Sequence, residues 1–156
     1  MWKFLCIPVI LFFLSFGMFA QETEDYKEKY YTPEASNFEL FIQQAYGDRA
    51  EDLVFNNEIR KLLLKDFFVN RLEIVDRNPE EEIPQSFLQL TSIGELGYVA
   101  APAVAQPFNP KNFNPFYYKI DFTNTKTIQH IHISGTHFYL KVKPFSPEVI
   151  NQLRQE

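Results

Sequence analysis

The feature that most constrains the fold is the alternation of apolar and polar residues across positions 117–143. Alternation with a period of two indicates β-strands that bury one face and expose the other. Within this stretch, Ser134-Gly135 predicts a two-residue hairpin turn, because glycine adopts the positive φ that such turns need. The turn would place His132 directly opposite His137.

A second turn is predicted at residues 123–126, which are Thr-Asn-Thr-Lys. It would pair residues 117–122 with residues 127–132 and place Lys119 opposite His130. The result is a three-stranded antiparallel meander. One face would carry Tyr118, Ile120, Phe122, Ile131, Ile133, Phe138, Leu140 and Val142. The other, called the outer face below, would carry Tyr117, Lys119, Asp121, Ile128, His130, His132, His137, Tyr139, Lys141 and Lys143.

Two stretches before the meander have helical spacing. Ser36 and Glu39 match a capping box at the start of the first, and Asn57 or its neighbour Asn56 would cap the second. A further strand is predicted within residues 69–76. Because an apolar sheet face needs a covering layer, we predict an α+β fold in which the N-terminal helices pack on one face of an antiparallel sheet ending in the meander.

The 156 residues suffice for one domain. We divide the chain into a signal peptide at 1–20, a flexible acidic arm at 21–35, a single α+β domain at 36–145 and a short C-terminal tail at 146–156. The only cysteine is Cys6. The chain after the leader therefore has no disulfide, thiolate metal site or cysteine nucleophile.

The N-terminus has the order of a secretory signal peptide. Lys3 precedes an apolar run at residues 4–16, and polar, acidic residues follow Ala20. This order predicts cleavage after Ala20 and a secreted or periplasmic protein. The alternative is an uncleaved anchor, but Pro8 interrupts a run that is barely long enough to span a bilayer. We expect no stable membrane span once the leader is removed.

Charge and motifs exclude several functional classes. The formal net charge is −5, which does not favour nucleic-acid binding by a basic surface. The sequence contains no G-x-S-x-G elbow, phosphate-binding Gly loop, H-E-x-x-H or C-x-x-C motif. Nothing therefore gives positive support to an enzyme, and we favour a non-catalytic protein.

All three histidines fall on the predicted outer face. His130 and His132 are two positions apart on one strand, and His137 lies across the hairpin. Such a set could bind a metal ion with tetrahedral coordination. The alternative hypothesis is therefore a metal-binding protein with zinc as its cofactor. The competing interpretation is a solvated polar face, because Lys119 lies beside the histidines and no carboxylate is placed to orient them.

Cations and tyrosines are also concentrated on the outer face. The predicted binding face consists of Tyr117, Lys119, Tyr139, Lys141 and Lys143. Since the chain as a whole is acidic, this segregation of charge suggests an anionic partner. The competing interpretation is that charged side chains merely keep the sheet soluble.

The tripeptide Phe-Asn-Pro occurs twice, at residues 108–110 and 113–115. Asn-Pro favours turns and keeps the residue before proline extended. We interpret the repeat mainly as two turns that steer the chain while the phenyl rings fill the edge of the core. The functional alternative is an aromatic ledge for a ligand.

Several short segments invite comparison: Ala20-Gln21 at the end of the leader, a Leu-rich helix before Asn70-Arg71, and the stretches FNPFYYKIDF and GTHFYLKVKP. Over residues 56–144 they resemble small secreted proteins of the flavobacterial type. The resemblance implies an envelope or secreted protein and brings no catalytic residues. We therefore predict a secreted or periplasmic binding module for an envelope or extracellular partner. The alternative is a metal-binding protein that uses the three histidines, and this alternative includes a metal-dependent hydrolase.

Overall fold

The computed structural model of the chain describes residues 26–93, 99–145 and 151. The predicted signal peptide and its cleavage site lie outside the described residues. So does the predicted C-terminal tail, apart from residue 151.

In the described part of the chain, two α-helices precede the central strands: α1 spans Phe38–Tyr46 and α2 spans Glu58–Asp66. α1 ends at Gly47, whose φ of 54° suits glycine. Asn57 caps α2 as predicted, since its side-chain oxygen accepts a hydrogen bond from the Arg60 N–H at 2.9 Å. None of the helices described here is both long and apolar enough to cross a bilayer.

Five strands form one sheet within the described residues, in the order β1-β2-β5-β4-β3. They are β1 (Lys29–Tyr31), β2 (Leu72–Asp76), β3 (Leu88–Gln89), β4 (Gln129–His132) and β5 (Phe138–Val142). All neighbours are antiparallel except β3, which joins β4 in parallel. The sheet is therefore mostly antiparallel.

Both helices pack on the predicted apolar face of the sheet. The core cluster joins Ile42 of α1 and Leu64 of α2 to Leu140 of β5, each at most 1% exposed. Aromatic rings fill the space between the layers, with Phe116 lying 5.4 Å from Phe68 between ring centroids. This arrangement confirms the α+β class and the helical layer over the sheet.

The predicted register of the β4–β5 hairpin is wrong by two residues. His132 pairs with Tyr139, not with His137. The Ile133 N–H donates to the Phe138 carbonyl at 3.1 Å, so the loop between these two residues has four residues, 134–137, rather than two. Thr136 closes this loop, because its N–H and its hydroxyl both donate to the Ile133 carbonyl, at 3.1 and 2.8 Å. A shift of two preserves the side of the sheet on which each residue lies, so the apolar face was predicted correctly for β4 and β5.

The first strand of the predicted meander does not pair with β4. Tyr118 instead forms an isolated antiparallel bridge with Ser92, and β3 occupies the position beside β4. The backbone groups of that predicted strand bond to residues 91–93, since the Ile93 N–H donates to the Tyr117 carbonyl at 2.9 Å and the Lys119 N–H to the Thr91 carbonyl at 2.7 Å. Lys119 consequently does not lie opposite His130, whose partner on β5 is Lys141.

Two predicted boundaries also change. Residues 29–31, assigned by sequence to the flexible arm, form the edge strand β1 against β2. β2 begins only at Leu72, because the π-helical segment Phe67–Arg71 extends α2. The predicted capping box is not formed, since α1 begins at Phe38 after a 3-10 turn and its N-cap, Asn37, makes no side-chain capping bond.

Candidate functional site

The outer face is covered in part by other segments of the same chain, most completely at Tyr139. Tyr139 is only 6% exposed, because Phe87 packs on it with 4.9 Å between ring centroids. Phe87 also stacks on His130 at 5.1 Å. Burial, together with the Glu28 carboxylate, raises the pKa of Tyr139 to about 12. Burial and the charge of Lys141 lower the pKa of His130 below its usual value. Phe87, His130 and Tyr139 thus form a packed aromatic cluster.

Lys141 and Lys143 share one carboxylate, that of Glu73. The Nζ of Lys141 lies 3.5 Å from Glu73 Oε2, and the Nζ of Lys143 donates to Oε1. Partial burial acts to raise the pKa of Glu73, but these two cations outweigh it and the pKa falls below its usual value. Because the lysines are paired within the chain, the geometry does not single out an anionic partner.

The remaining members of the predicted binding face lie elsewhere. Tyr117 ends the 3-10 turn that begins at Pro115. The backbone N–H of Lys119 donates to the Thr91 carbonyl at 2.7 Å, next to the Ser92 bridge. The structure therefore brings Tyr139, Lys141 and Lys143 together on the sheet and separates Tyr117 and Lys119 from them.

The three histidines make three different contacts. His132 Nε2 lies 2.8 Å from the carbonyl oxygen of Thr136, and His137 Nε2 lies 3.1 Å from Asp76 Oδ1. The His130 ring is stacked on Phe87. Across residues 26–93, 99–145 and 151, no three His, Cys, Asp or Glu side chains are grouped to hold a metal ion. The zinc hypothesis therefore rests on the sequence pattern alone.

A groove lies instead beside the two Phe-Asn-Pro turns. Its volume is about 450 Å³, within the usual range for a small-ligand site. The side chains that line it come from α1, from the extended segment 102–105 and from residues 108–118. They are Gln44, Pro102, Ala103, Val104, Ala105, Phe108, Asn109, Asn112, Phe113, Asn114, Tyr117 and Tyr118. These residues are called the groove below.

The groove is aromatic, amide-bearing and uncharged. Phe113 and Tyr118 are stacked with 5.3 Å between centroids and 10° between ring planes. Phe108 lies 5.7 Å from Phe113 at a tilted angle. Burial raises the pKa of Tyr118 above its usual value. No Asp, Glu, Lys, Arg or His belongs to the groove lining.

The second Phe-Asn-Pro turn holds the groove to α1. Asn114 is only 6% exposed. Its Nδ2 donates to the Phe41 carbonyl at 2.8 Å and to Gln44 Oε1 at 3.2 Å. Its Oδ1 accepts from the Phe116 N–H at 3.0 Å. One buried amide therefore fixes the distance between the helix and the floor of the groove.

Other groove amides have hydrogen-bond donors that no described residue accepts. Asn109 Oδ1 accepts from the Lys111 N–H at 3.0 Å, and Gln44 Oε1 accepts from Asn114. The NH₂ groups of Asn109 and Gln44, and the whole amide of Asn112, have no hydrogen-bond partner among the described residues. All three side chains are exposed. The groove thus presents aromatic surface next to open amide donors.

Sequence reasoning identified part of this site. The repeat at residues 108–110 and 113–115 was interpreted mainly as two turns, with an aromatic ledge as the alternative, and residues of both copies line the groove. It missed Gln44 and the wall at residues 102–105. An exposed glutamine on a short helix is an ordinary surface residue in sequence, and only the fold brings it beside Asn114.

Comparisons with known proteins add no family to this description. No family model matches the chain, and neither a curated protein nor a solved structure matches it.

Proposed function

We propose that this chain is a secreted or periplasmic binding module without catalytic activity, and that its ligand binds in the groove. The observation that carries the proposal is an open cavity of about 450 Å³ lined by aromatic and amide side chains. Such a combination of apolar surface and a few placed polar groups is typical of ligand sites.

The chemistry of the lining supports binding rather than catalysis. Acid–base or nucleophilic catalysis needs a titratable or activated side chain within reach of the ligand. The groove offers amides, two phenols and apolar groups. These side chains orient a ligand and exclude water, but none is matched to proton transfer near neutral pH.

Site-specific photo-crosslinking tests the location of the ligand site. A benzophenone amino acid placed at Ala103, in the groove wall, should capture material from the envelope fraction or the growth medium. The matched control is the same group at Ile128, which is 48% exposed and lies outside the groove lining. Equal capture at both positions, or capture only at Ile128, would contradict a ligand site in the groove.

The export part of the proposal is supported by the leader pattern and has its own test. Mass spectrometry of the protein from the periplasm or medium should find Gln21 as the first residue. Full-length chain retained in the membrane pellet would contradict cleavage after Ala20.

A further inference from the structure

We propose that the ligand of the groove is an uncharged, extended, proline-rich peptide segment of a partner protein. This inference rests on the proposed function, because it names the ligand class of the same groove. It depends on three observations: the absence of charge in the lining, the amide NH₂ groups that have no partner among the described residues, and the aromatic rings of the lining.

The charge of the lining restricts the charge of the ligand. Moving an ionised group out of water is costly unless an opposite charge meets it. The groove has no cation or anion to do so. A ligand that enters it is therefore neutral where it contacts these side chains.

The open hydrogen-bonding groups restrict the polar pattern of the ligand. In Gln44 and Asn109 the amide oxygen already accepts a bond inside the protein, whereas the NH₂ group is open. These residues offer donors to a ligand, which must therefore supply acceptors. A proline-rich backbone supplies carbonyl acceptors and few N–H donors, because proline has no N–H.

The aromatic rings fit the shape of such a peptide. An extended proline-rich segment adopts the polyproline II helix, which has three residues per turn and leaves its carbonyl groups free. Segments of this kind dock in aromatic-lined grooves, where pyrrolidine rings lie on flat side chains. Phe108, Tyr117 and Tyr118 are half-buried residues of the groove lining and provide such surfaces.

A neutral glycan is the main competitor, and the amide geometry disfavours it. Sugar hydroxyls both donate and accept, and an amide binds two neighbouring hydroxyls best when its oxygen and nitrogen are both free. Among the groove amides at positions 44, 109, 112 and 114, only Asn112 meets that condition. Glycan binding is therefore an outcome that the experiment must be able to detect.

The experiment uses the chain after leader removal and three probes. The first is a pool of acetylated and amidated octapeptides of the form Pro-Xaa-Xaa-Pro with uncharged Xaa residues. The second is the same pool of peptides with every proline replaced by glycine. The third is a neutral glucose hexasaccharide. Binding is followed by titration calorimetry and by two-dimensional ¹H–¹⁵N NMR, which reports on the side-chain NH₂ groups of Gln44 and Asn109 directly.

We expect the proline pool to bind and to shift both NH₂ signals, and the glycine pool to bind more weakly. Tyr117→Ala and Gln44→Ala should each weaken binding about tenfold, the effect of one lost ring contact or hydrogen bond. Tyr30→Ala is the matched control, because Tyr30 is an exposed tyrosine on β1 outside the groove. Its binding should equal that of the unmodified chain.

Three results would overturn the inference. The first is that the folded protein does not bind the proline pool. The second is that Tyr117→Ala and Gln44→Ala leave this binding unchanged. The third is that the hexasaccharide binds instead and that the two groove variants weaken its binding. The last of these would leave the proposed function intact. Failure of the proposed function itself would appear separately, as crosslinking that does not distinguish Ala103 from Ile128.

Discussion

The two Phe-Asn-Pro turns have the same three residues and the same local geometry but different surroundings. In each, the asparagine oxygen caps a 3-10 turn that starts at the following proline. At the first turn Asn109 is exposed and Phe108 is half-buried. At the second, Asn114 and Phe113 are 6% and 7% exposed, respectively. Only the second turn also binds a helix, through the Phe41 carbonyl.

The difference shows that a tripeptide specifies a turn but not the role of that turn. The capping bond is local, so both copies make it. Whether the amide NH₂ is satisfied depends on what packs above it, and only Asn114 lies beneath α1. The second turn therefore belongs to the core, and the first is exposed to solvent.

The two turns should differ most in how much stability is lost when their phenylalanines are replaced by alanine. Phe113→Ala should lower the free energy of unfolding by about 3–5 kcal/mol, because it leaves a cavity beside the Tyr118 ring. Phe108→Ala removes a partly exposed ring and should cost about 1–3 kcal/mol. Urea denaturation of both variants measures the difference. Equal losses would show that the two turns are buried alike.

Replacing the asparagines by aspartate should give the next largest difference in stability between the two turns. The loss of stability at the second turn should also depend on pH. Asn114→Asp places a carboxylate against the Phe41 carbonyl and should cost about 3–5 kcal/mol at pH 7. Burial would raise the pKa of this carboxyl above its unfolded value of about 3.9, so the loss grows as pH rises past that value and shrinks in acid.

The control for that variant is Asn109→Asp. It keeps the capping oxygen in an exposed position and should stay within about 0.5 kcal/mol of the unmodified chain. Thermal melts between pH 4 and pH 7 compare the two variants. A pH-independent loss for Asn114→Asp would contradict burial of that side chain.

Replacing the asparagines by alanine should give a smaller difference in stability between the two turns. Asn114→Ala leaves the Phe41 carbonyl and the Phe116 N–H without their partner and should cost about 1–3 kcal/mol. Asn109→Ala removes one exposed capping bond and should cost about 0.5–1 kcal/mol. Chemical denaturation with a common baseline resolves this difference. A larger loss for Asn109→Ala would reverse the comparison.

Replacing the prolines by alanine should give the smallest difference in stability between the two turns. Pro110→Ala restores freedom to the unfolded chain and should cost about 0.4–1 kcal/mol. Pro115→Ala has the same entropic effect and also removes buried apolar contact, so its loss should be slightly greater. Midpoints of thermal unfolding, measured side by side, test the order. A more stable Pro115→Ala variant would mean that Pro115 strains its turn.

Much of the fold was predictable because local pattern and burial agree. Alternation placed Ile131 and Leu140 on the core face, and Asn57 was recognised as a helix cap. The hairpin register was not predictable from Ser134-Gly135 alone, because the hydroxyl of Thr136 favours a longer loop. The first strand of the meander was wrong because residues 117–119 bond to residues 91–93, and β3 takes the place beside β4.

The candidate site was less predictable than the fold. Lys141 and Tyr139 have the composition of a binding face, yet Glu73 and Phe87 come from distant segments and cover them. Conversely, the groove combines Gln44 with residues more than fifty positions away, and no spacing rule connects them.

The sequence by itself determined the secondary structure that short-range forces control: the α2 cap, the two Asn-Pro turns and the alternating faces of β4 and β5. The tertiary structure alone decided which polar groups are satisfied. Arg71 is the clearest case. It is 2% exposed, pairs with Asp66 at 2.7 Å and donates to the carbonyls of Phe122 and Lys143. Burial and hydrogen-bond partners depend on residues distant in the chain, so they are properties of the packed molecule.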